Sequence, residues 1–382
     1  MSGRWLWCLV LLWGAVGIAG EGPSRAQPNG DITIKGTVVN DSTGAPLPNT
    51  HVFISGSMTG TTVDEDGHFR LRGLSSGAKR LYVTRLGYEP QQRDLLLPPD
   101  TTLTFSFRLR RTVIEADEVT VSAKRDDEWY ERLRRFKRLF VGESKQAQRC
   151  YLLNPKVLRF DSAWWGKFEA DARKPLQFEN RALGYRVTYY LEEFEVSGDI
   201  IRWDGEPVFE ELTPQDSAQA RRWAQNRRKA FRGSLRHFLL SLLNDRLDEE
   251  QFSIARIPRA SAFRHLGRAD RVRISRDRVV TPQPNTLTEI NFRGQLEVVY
   301  KGERESEYFL DWAKARRGPR SYQTSQIRLN KRPIHVDKHG EIVEPYGATL
   351  YQYFAFTQRM AELLPQEYRP PDTTLTASTP KR

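Results

Sequence analysis

Apolar and polar residues alternate from Ile32 onward, with Ile32, Ile34 and Val38 on one side and Thr33, Lys35 and Thr37 on the other. A period of two marks a strand with one buried face. Asp41-Ser42-Thr43-Gly44 ends it with residues that tolerate tight backbone angles. Short strands recur at His51–Ser55, at Thr61–Val63, around Phe69 and Leu71, at Leu81–Thr84 and from Leu103 to Leu109, most of them bounded by glycine. Many short strands at close turn spacing predict a β-sandwich over residues 31–111.

The period then changes. Trp129, Leu133, Phe136, Leu139 and Phe140 recur at three- and four-residue steps. They predict a helix over 126–140, packed on a domain, with Arg132, Arg134, Arg135, Lys137 and Arg138 on its solvated face. Residues 112–127 are left as a linker. Strand patterns return at Val157–Phe160, Lys167–Ala170 and Tyr185–Leu191, and Gly205-Glu206-Pro207 predicts a turn. Thr213-Pro214-x-Asp216 reads as a helix start, with Thr213 as N-cap and Pro214 at the first position. After Gly233, Phe238, Leu239, Leu242 and Leu243 make a buried helical face. Further strands are expected at Arg271–Ser275, Glu297–Tyr300, Ser325–Leu329 and His335–Val343, then an amphipathic helix over Tyr351–Leu364. The expected fold is mainly β: the sandwich, followed by an α+β domain at 128–368 rich in antiparallel strands. Residues 369–382 read as a polar, disordered tail.

The N-terminus follows neither period. Arg4 precedes an almost unbroken apolar run from Trp5 to Ala19, followed by small residues, with Ile18-Ala19-Gly20 and Ser24-Arg25-Ala26 as competing cleavage sites. This is the pattern of a secretory signal peptide, assigned to residues 1–26. The run is about 15 residues long, short of the roughly 20 that a spanning helix needs.

The strand-forming segments also carry a family resemblance. Ile34-x-Gly36-x-Val38, Thr43-Gly44-x-Pro46-Leu47-Pro48-Asn49, Val52-x-Ile54-x-Gly56-Ser57, Gly60-Thr61-Thr62-Val63-Asp64-x-Asp66-Gly67-x-Phe69-x-Leu71 and Leu86-Gly87-Tyr88-Glu89 follow in that order. The series is similar to carboxypeptidase regulatory-like domains. The resemblance implies a seven-stranded, transthyretin-like sandwich that is an accessory module rather than a peptidase. Such modules often precede TonB-dependent receptor barrels, and Glu118–Ala123 resembles the segment that follows them there. The second half, from Phe140-x-Gly142 through Cys150-x-Leu152-x-Asn154-Pro155 to Leu364-Pro365-x-Glu367-Tyr368-x-Pro370, resembles uncharacterised envelope proteins bearing the same module. That likeness implies a compartment and an architecture but no activity.

Composition changes this picture little. Aromatic residues at 11% exclude wholesale disorder. The net charge of +12 admits nucleic acid, anionic lipid or acidic glycan, yet both signs are scattered and Arg outnumbers Lys, which reads as a high-GC genome or a heat-adapted surface rather than a binding tail. Export argues against a nucleic-acid partner. Only Cys8 and Cys150 exist, and cleavage removes Cys8. No internal disulfide can then form, and Cys150 reads as a buried small hydrophobe.

Candidate chemistry is sparse. A zinc carboxypeptidase needs His-x-x-Glu, but the third residues after the six histidines are Ile54, Leu71, Leu240, Arg268, Lys338 and Ile342. Asp64-x-Asp66-Gly67 lacks the acid at position 12 of a calcium loop, which is Ser75, and reads as a hairpin turn. His335 and His339 stand four apart, among β-branched residues and Gly340 that favour a hairpin over a helix. No Gly-x-Ser-x-Gly elbow or glycine-rich phosphate loop is present. The reading is therefore non-enzymatic: no catalytic, cofactor or metal residues, and a binding or structural role at the periplasmic or outer-membrane face. The expected partner is an envelope protein or glycan, with a peripheral membrane association. An accessory of an outer-membrane transport complex and an unrecognised hydrolase in the second domain are the alternatives. Trp164 and Trp165, in a strand-like segment, and Trp203 are the candidate ligand contacts.

Overall fold

The computed structural model describes residues 32–112, 127–162, 166–257, 271–282 and 287–371. Trp164, Trp165, His265, the Glu118–Ala123 segment, the signal peptide and most of the tail lie outside them.

The first module has seven strands: β1 (Ile32–Asn40), β2 (His51–Ile54), β3 (Gly60–Thr62), β4 (His68–Leu74), β5 (Gly77–Thr84), β6 (Gln91–Leu97) and β7 (Thr102–Leu109). They form two sheets, β4-β1-β7 and β3-β2-β5-β6, with β7 running parallel to β1. The alternation of β1 is realised: Ile32, Ile34 and Val38 enter the core between the sheets with Val52, Phe69, Leu81 and Phe107. The Asp64 turn is held by its own carboxylate, which accepts from the backbone N–H of Asp66 (3.1 Å) and His68 (2.7 Å), as a hairpin requires.

Gly36 explains one constant of the pattern. It sits on the core face of β1, where an added Cβ would lie 2.0 Å from the Phe105 carbonyl oxygen and 2.9 Å from the Phe69 ring. The carbonyl belongs to a paired strand and cannot withdraw alone. Gly36→Ala is expected to cost about 3 kcal/mol, the upper end of overpacking penalties, seen as a lower urea midpoint; an unchanged midpoint would refute this account of the close approach.

The rest of the described chain carries two large hydrophobic cores and two small clusters. The first lies over a six-stranded sheet of β8 (Cys150–Leu152), β9 (Leu158–Ser162), β10 (Phe168–Ala172), β11 (Leu176–Asn180), β12 (Tyr185–Ser197) and β13 (Ile200–Glu211). All its pairings are antiparallel. Helix α1 (Asp127–Phe140) closes this core with Phe136 and Phe140 and leaves Arg134, Lys137 and Arg138 exposed. Helix α2 (Ser217–Phe231) starts later than the sequence indicates. Its N-cap is Asp216, whose carboxylate accepts from Gln219 N–H at 2.6 Å, and Thr213 and Pro214 stand outside. Helix α3 (Leu235–Leu243) is capped by Ser234 and buries Phe238, Leu239 and Leu242 in the second core.

That second core is covered by two sheets. One comprises β14 (Phe252–Ile257), β15 (Val272–Arg273), β18 (Gln295–Tyr300), β19 (Gln323–Leu329) and β21 (Ala348–Gln352). The other comprises β16 (Val280–Pro282), β17 (Leu287–Ile290) and β20 (Ile334–Asp337). Short helices α4 (Glu307–Trp312) and α5 (Tyr353–Thr357) pack together through Phe309, Tyr353 and Phe356. The expected helix over 351–364 is broken: Tyr351 and Gln352 stay in β21, α5 ends at Thr357, and a 3-10 turn follows at Met360–Glu362. The reason lies in packing. Phe354 enters the second core while Met360 and Ala361 enter the first, and one continuous helix stripe could serve only one of them.

A second correction concerns Gly205-Glu206-Pro207, which is no turn. The β12–β13 hairpin reverses at Gly198-Asp199, and 205–207 continue β13 past a bulge in β12, whose extra residue Glu192 lies opposite Asp204-Gly205. Gly205 is needed at the bulge because a Cβ would lie 2.3 Å from the Tyr190 carbonyl oxygen. Pro207 is tolerated because β13 is an edge strand and needs no N–H there.

Candidate functional site

The sandwich is fixed to the β13 edge. Gly56 N–H donates to the Pro207 carbonyl (2.8 Å) and Phe209 N–H to the Ser57 carbonyl (3.0 Å), so the β2–β3 turn continues the sheet. Beside this seam, Phe53 and Tyr82 point away from the sandwich core and pack on Tyr190 with ring centroids 5.3 and 5.5 Å away. Phe53 and Tyr82 are nevertheless 3% exposed, because docking buries the outer face of β2 and β5. The C-terminal segment completes the join: Gln366 N–H donates to the Gly56 carbonyl (2.8 Å) and its side-chain amide to the Ser55 carbonyl (2.9 Å).

Between these parts lies a cavity of about 510 Å³. Its apolar walls include Leu95 and Leu96 of β6, Leu287 of β17, Ile342, Val343 and Leu363; Leu96 and Val343 are exposed. Its polar lining includes Lys79, Arg80, Glu206, Asp337, Glu341 and Gln366. Apolar walls with a few converging polar groups are the usual composition of a small-molecule site.

Each polar group is placed by a defined element. Lys79, near the start of β5, donates to Gln366 Oε1 at 2.7 Å, and burial lowers its ammonium to about 8. Arg80 bridges Glu206 of β13 (3.0 Å) and the exposed Asp94 of β6 (2.7 Å). Asp337 ends β20. Its Oδ1 accepts the backbone N–H of His339 (2.8 Å) and Glu341 (3.0 Å), which shapes the hairpin turn, and burial pushes its carboxyl up. Glu341 is open to solvent along the cavity, yet the protein packed around it still raises its carboxyl by desolvation. His339 fastens the same hairpin to the sandwich, with Nε2 3.2 Å from the Ser76 carbonyl and 3.3 Å from Ser75 Oγ; burial drops its imidazole to about 3.

Of the three tryptophans singled out above, Trp203 alone is described. It packs on the first core at 6.4 Å from Phe140, with the Arg359 guanidinium 4.9 Å above its ring. Its neighbours Asp204–Pro207 line the cavity instead. The two ends of the His335–His339 spacing lie on the predicted hairpin but have separate partners: His335 Nδ1 meets Glu344 Oε1 at 2.6 Å. His237 resembles a catalytic dyad member, with Nε2 3.0 Å from Glu250. Its Nδ1, however, accepts the Gly233 N–H at 3.0 Å, so Nε2 carries the proton and no lone pair is left for proton transfer. Cys150 is buried at the start of β8, where desolvation pushes its thiol up to about 12. Among the described residues no group of three His, Cys, Asp or Glu side chains is placed to hold a metal ion. No described helix is long and apolar enough to cross a membrane.

The seven-stranded module and its turns agree with one comparison directly. The family model of the carboxypeptidase regulatory-like domain matches residues 33–110. This segment resembles such a domain. The same region is 36% identical over 78 residues to the TonB-dependent receptor SusC of Bacteroides thetaiotaomicron, a match covering 19% of this chain and 8% of the receptor. Among solved structures, similarity extends to a candidate carbohydrate-binding protein of Bacteroides uniformis (10% identity, 48% of this chain and 100% of that one, TM-score 0.18). It also extends to catechol 1,2-dioxygenase of an Acinetobacter species (17% identity, 27% and 59%, TM-score 0.21).

Proposed function

We propose that this is an exported, non-catalytic binding protein of the bacterial envelope, in which the regulatory-like sandwich and the body form one unit with the ligand held between them. The observation that carries this reading is the cavity, whose lining is drawn from β5, β6, β13, the hairpin after β20 and the C-terminal segment. Export is supported by the apolar N-terminal run and by the likeness of the sandwich to a receptor-attached segment. The absence of covalent chemistry rests on the missing sequence signatures and on the occupied nitrogens of His237. The same receptor likeness favours a second reading, an accessory of an outer-membrane transport complex that uses the module as its docking piece.

Fractionation and ligand protection test both together. The mature chain is expected in the envelope fraction and to be released by carbonate. Oligosaccharide, muropeptide and peptide fractions of envelope digests are to be added to it in thermal melts. A binding fraction present at about 100 times its dissociation constant adds about 2.7 kcal/mol of stability, and Leu96→Arg is expected to abolish the gain. Recovery in the cytoplasm, or no fraction that protects, would overturn the reading.

A further inference from the structure

Three cavity groups hold hydrogen-bonding capacity that the chain does not use. Lys79 is 6% exposed and has three N–H donors, of which Gln366 Oε1 takes one. Asp337 is 1% exposed; its Oδ1 accepts two backbone N–H groups, while its Oδ2 has no partner among the described residues. Glu341 is exposed at the same lining, so its carboxylate is hydrated and open to a ligand. Burying Lys79 and Asp337 with capacity unmet costs free energy, so a site that keeps them is poised for a ligand that meets them. Turn geometry fixes their relation: Asp337 and Glu341 flank one tight hairpin, and Lys79 faces it from the sandwich.

We infer that the cavity takes a zwitterion of the peptide type, with its free ammonium on Asp337 and Glu341, its free carboxylate on Lys79, and aliphatic side chains on Leu95, Ile342 and Leu363. This rests on the cavity being the binding site. Two observations narrow the class. Five carboxylates line the cavity against two cations, Lys79 and Arg80, and this balance opposes an anion such as a phosphate. The walls are aliphatic, and the one aromatic lining residue, Phe209, is 2% exposed, so no open ring is offered to the flat face of a sugar. The volume lies within the roughly 300–1,000 Å³ of small-molecule sites and admits a short peptide.

Calorimetric titration of the mature chain tests this with a pool of aliphatic dipeptides, the same pool N-acetylated, the same pool C-amidated, free leucine, and maltose as a neutral sugar. The free dipeptides are expected to bind, and either cap to weaken binding at least tenfold. Leucine distinguishes a free amino acid from a peptide as the source of the same end groups. Lys79→Met is expected to erase discrimination against the amide, and Glu341→Gln, which leaves Asp337 in place, to reduce discrimination against the acetyl cap. Capped peptides that bind the wild type as tightly as free ones would overturn the inference, whether or not the variants fold. Binding of maltose, or protection by an oligosaccharide fraction, with none by dipeptides or leucine would sink the zwitterion and leave the cavity as the site. No binding by any probe and no protection by any envelope fraction would sink both.

Discussion

Arg80→Met is expected to cost about 3–5 kcal/mol of folding stability, and the double substitution with Glu206→Gln to recover most of the loss. Arg80 makes two ion pairs of unequal weight. Asp94 is largely exposed, and such a pair contributes about 0–1 kcal/mol. Glu206 has 2% side-chain exposure and lies under the docked sandwich, so its carboxylate has lost its water. Two more carboxylates share the site. Glu192 is raised by burial and then by Glu206 and Asp204, while Arg80 acts in the opposite direction on it. Met keeps the stem that packs on the seam but strands the negative group, and breaking one side of a buried pair costs far more than removing both sides. Urea melts of the wild type, both single variants and the double variant give the coupling directly. A single variant within 1 kcal/mol of wild type would show that water already reaches Glu206 and that the seam is looser than its hydrogen bonds imply.

The same seam marks where sequence reasoning stops. Within the sandwich, position two by two decides which face is wet, and Ile32, Ile34, Val38 and the Asp64 turn are all legible from the pattern. Phe53 and Tyr82 carried a signal too. They interrupt the alternation, making the runs Val52-Phe53-Ile54 and Leu81-Tyr82-Val83 apolar on both faces, as expected of strands covered on both sides. What lies on the second face is a tertiary fact, and no local period reports it. Gly205 and Pro207 show the opposite failure. Their local chemistry is turn chemistry, but β12 holds them in a ladder, where a glycine is needed for a bulge and a proline is harmless at an edge. The cavity inherits both difficulties. Lys79, Glu206, Asp337 and Glu341 come from segments more than 250 residues apart at the extremes, each ordinary alone. Trp203, a candidate ligand contact, is half-buried against the first core, while its chain neighbours line the site.

Two buried titratable groups, Glu362 and His339, contribute opposing slopes to the pH dependence of stability, and removing either one exposes the other. Glu362 accepts a hydrogen bond from Ser144 under the loop after α1, and burial pushes its carboxyl from 4.5 to about 7. A folded pKa above the unfolded one means that the native state holds the proton more tightly. Its stabilising effect is full below about 4.5 and is lost as pH rises to about 7, at most about 3 kcal/mol. His339 has the reverse sign. Its folded pKa of about 3 lies below 6.5, so its neutral form is stable above 6.5 and about 5 kcal/mol is lost as pH falls towards 3. Between about 4.5 and 6.5 the two slopes oppose each other. Glu362→Gln, which keeps an acceptor for Ser144, is expected to stabilise the chain by about 3 kcal/mol at pH 8 and to expose the acid loss from His339 below pH 6.5. His339→Gln is expected to leave a chain that gains stability as pH falls from 7 to 4.5. Urea midpoints across pH 4.5–8 for the three proteins test this as differences, so other carboxyls cancel. If Glu362→Gln shifts every midpoint equally, its carboxyl does not hold a proton near neutrality, and the turn that links the two cores is open to water.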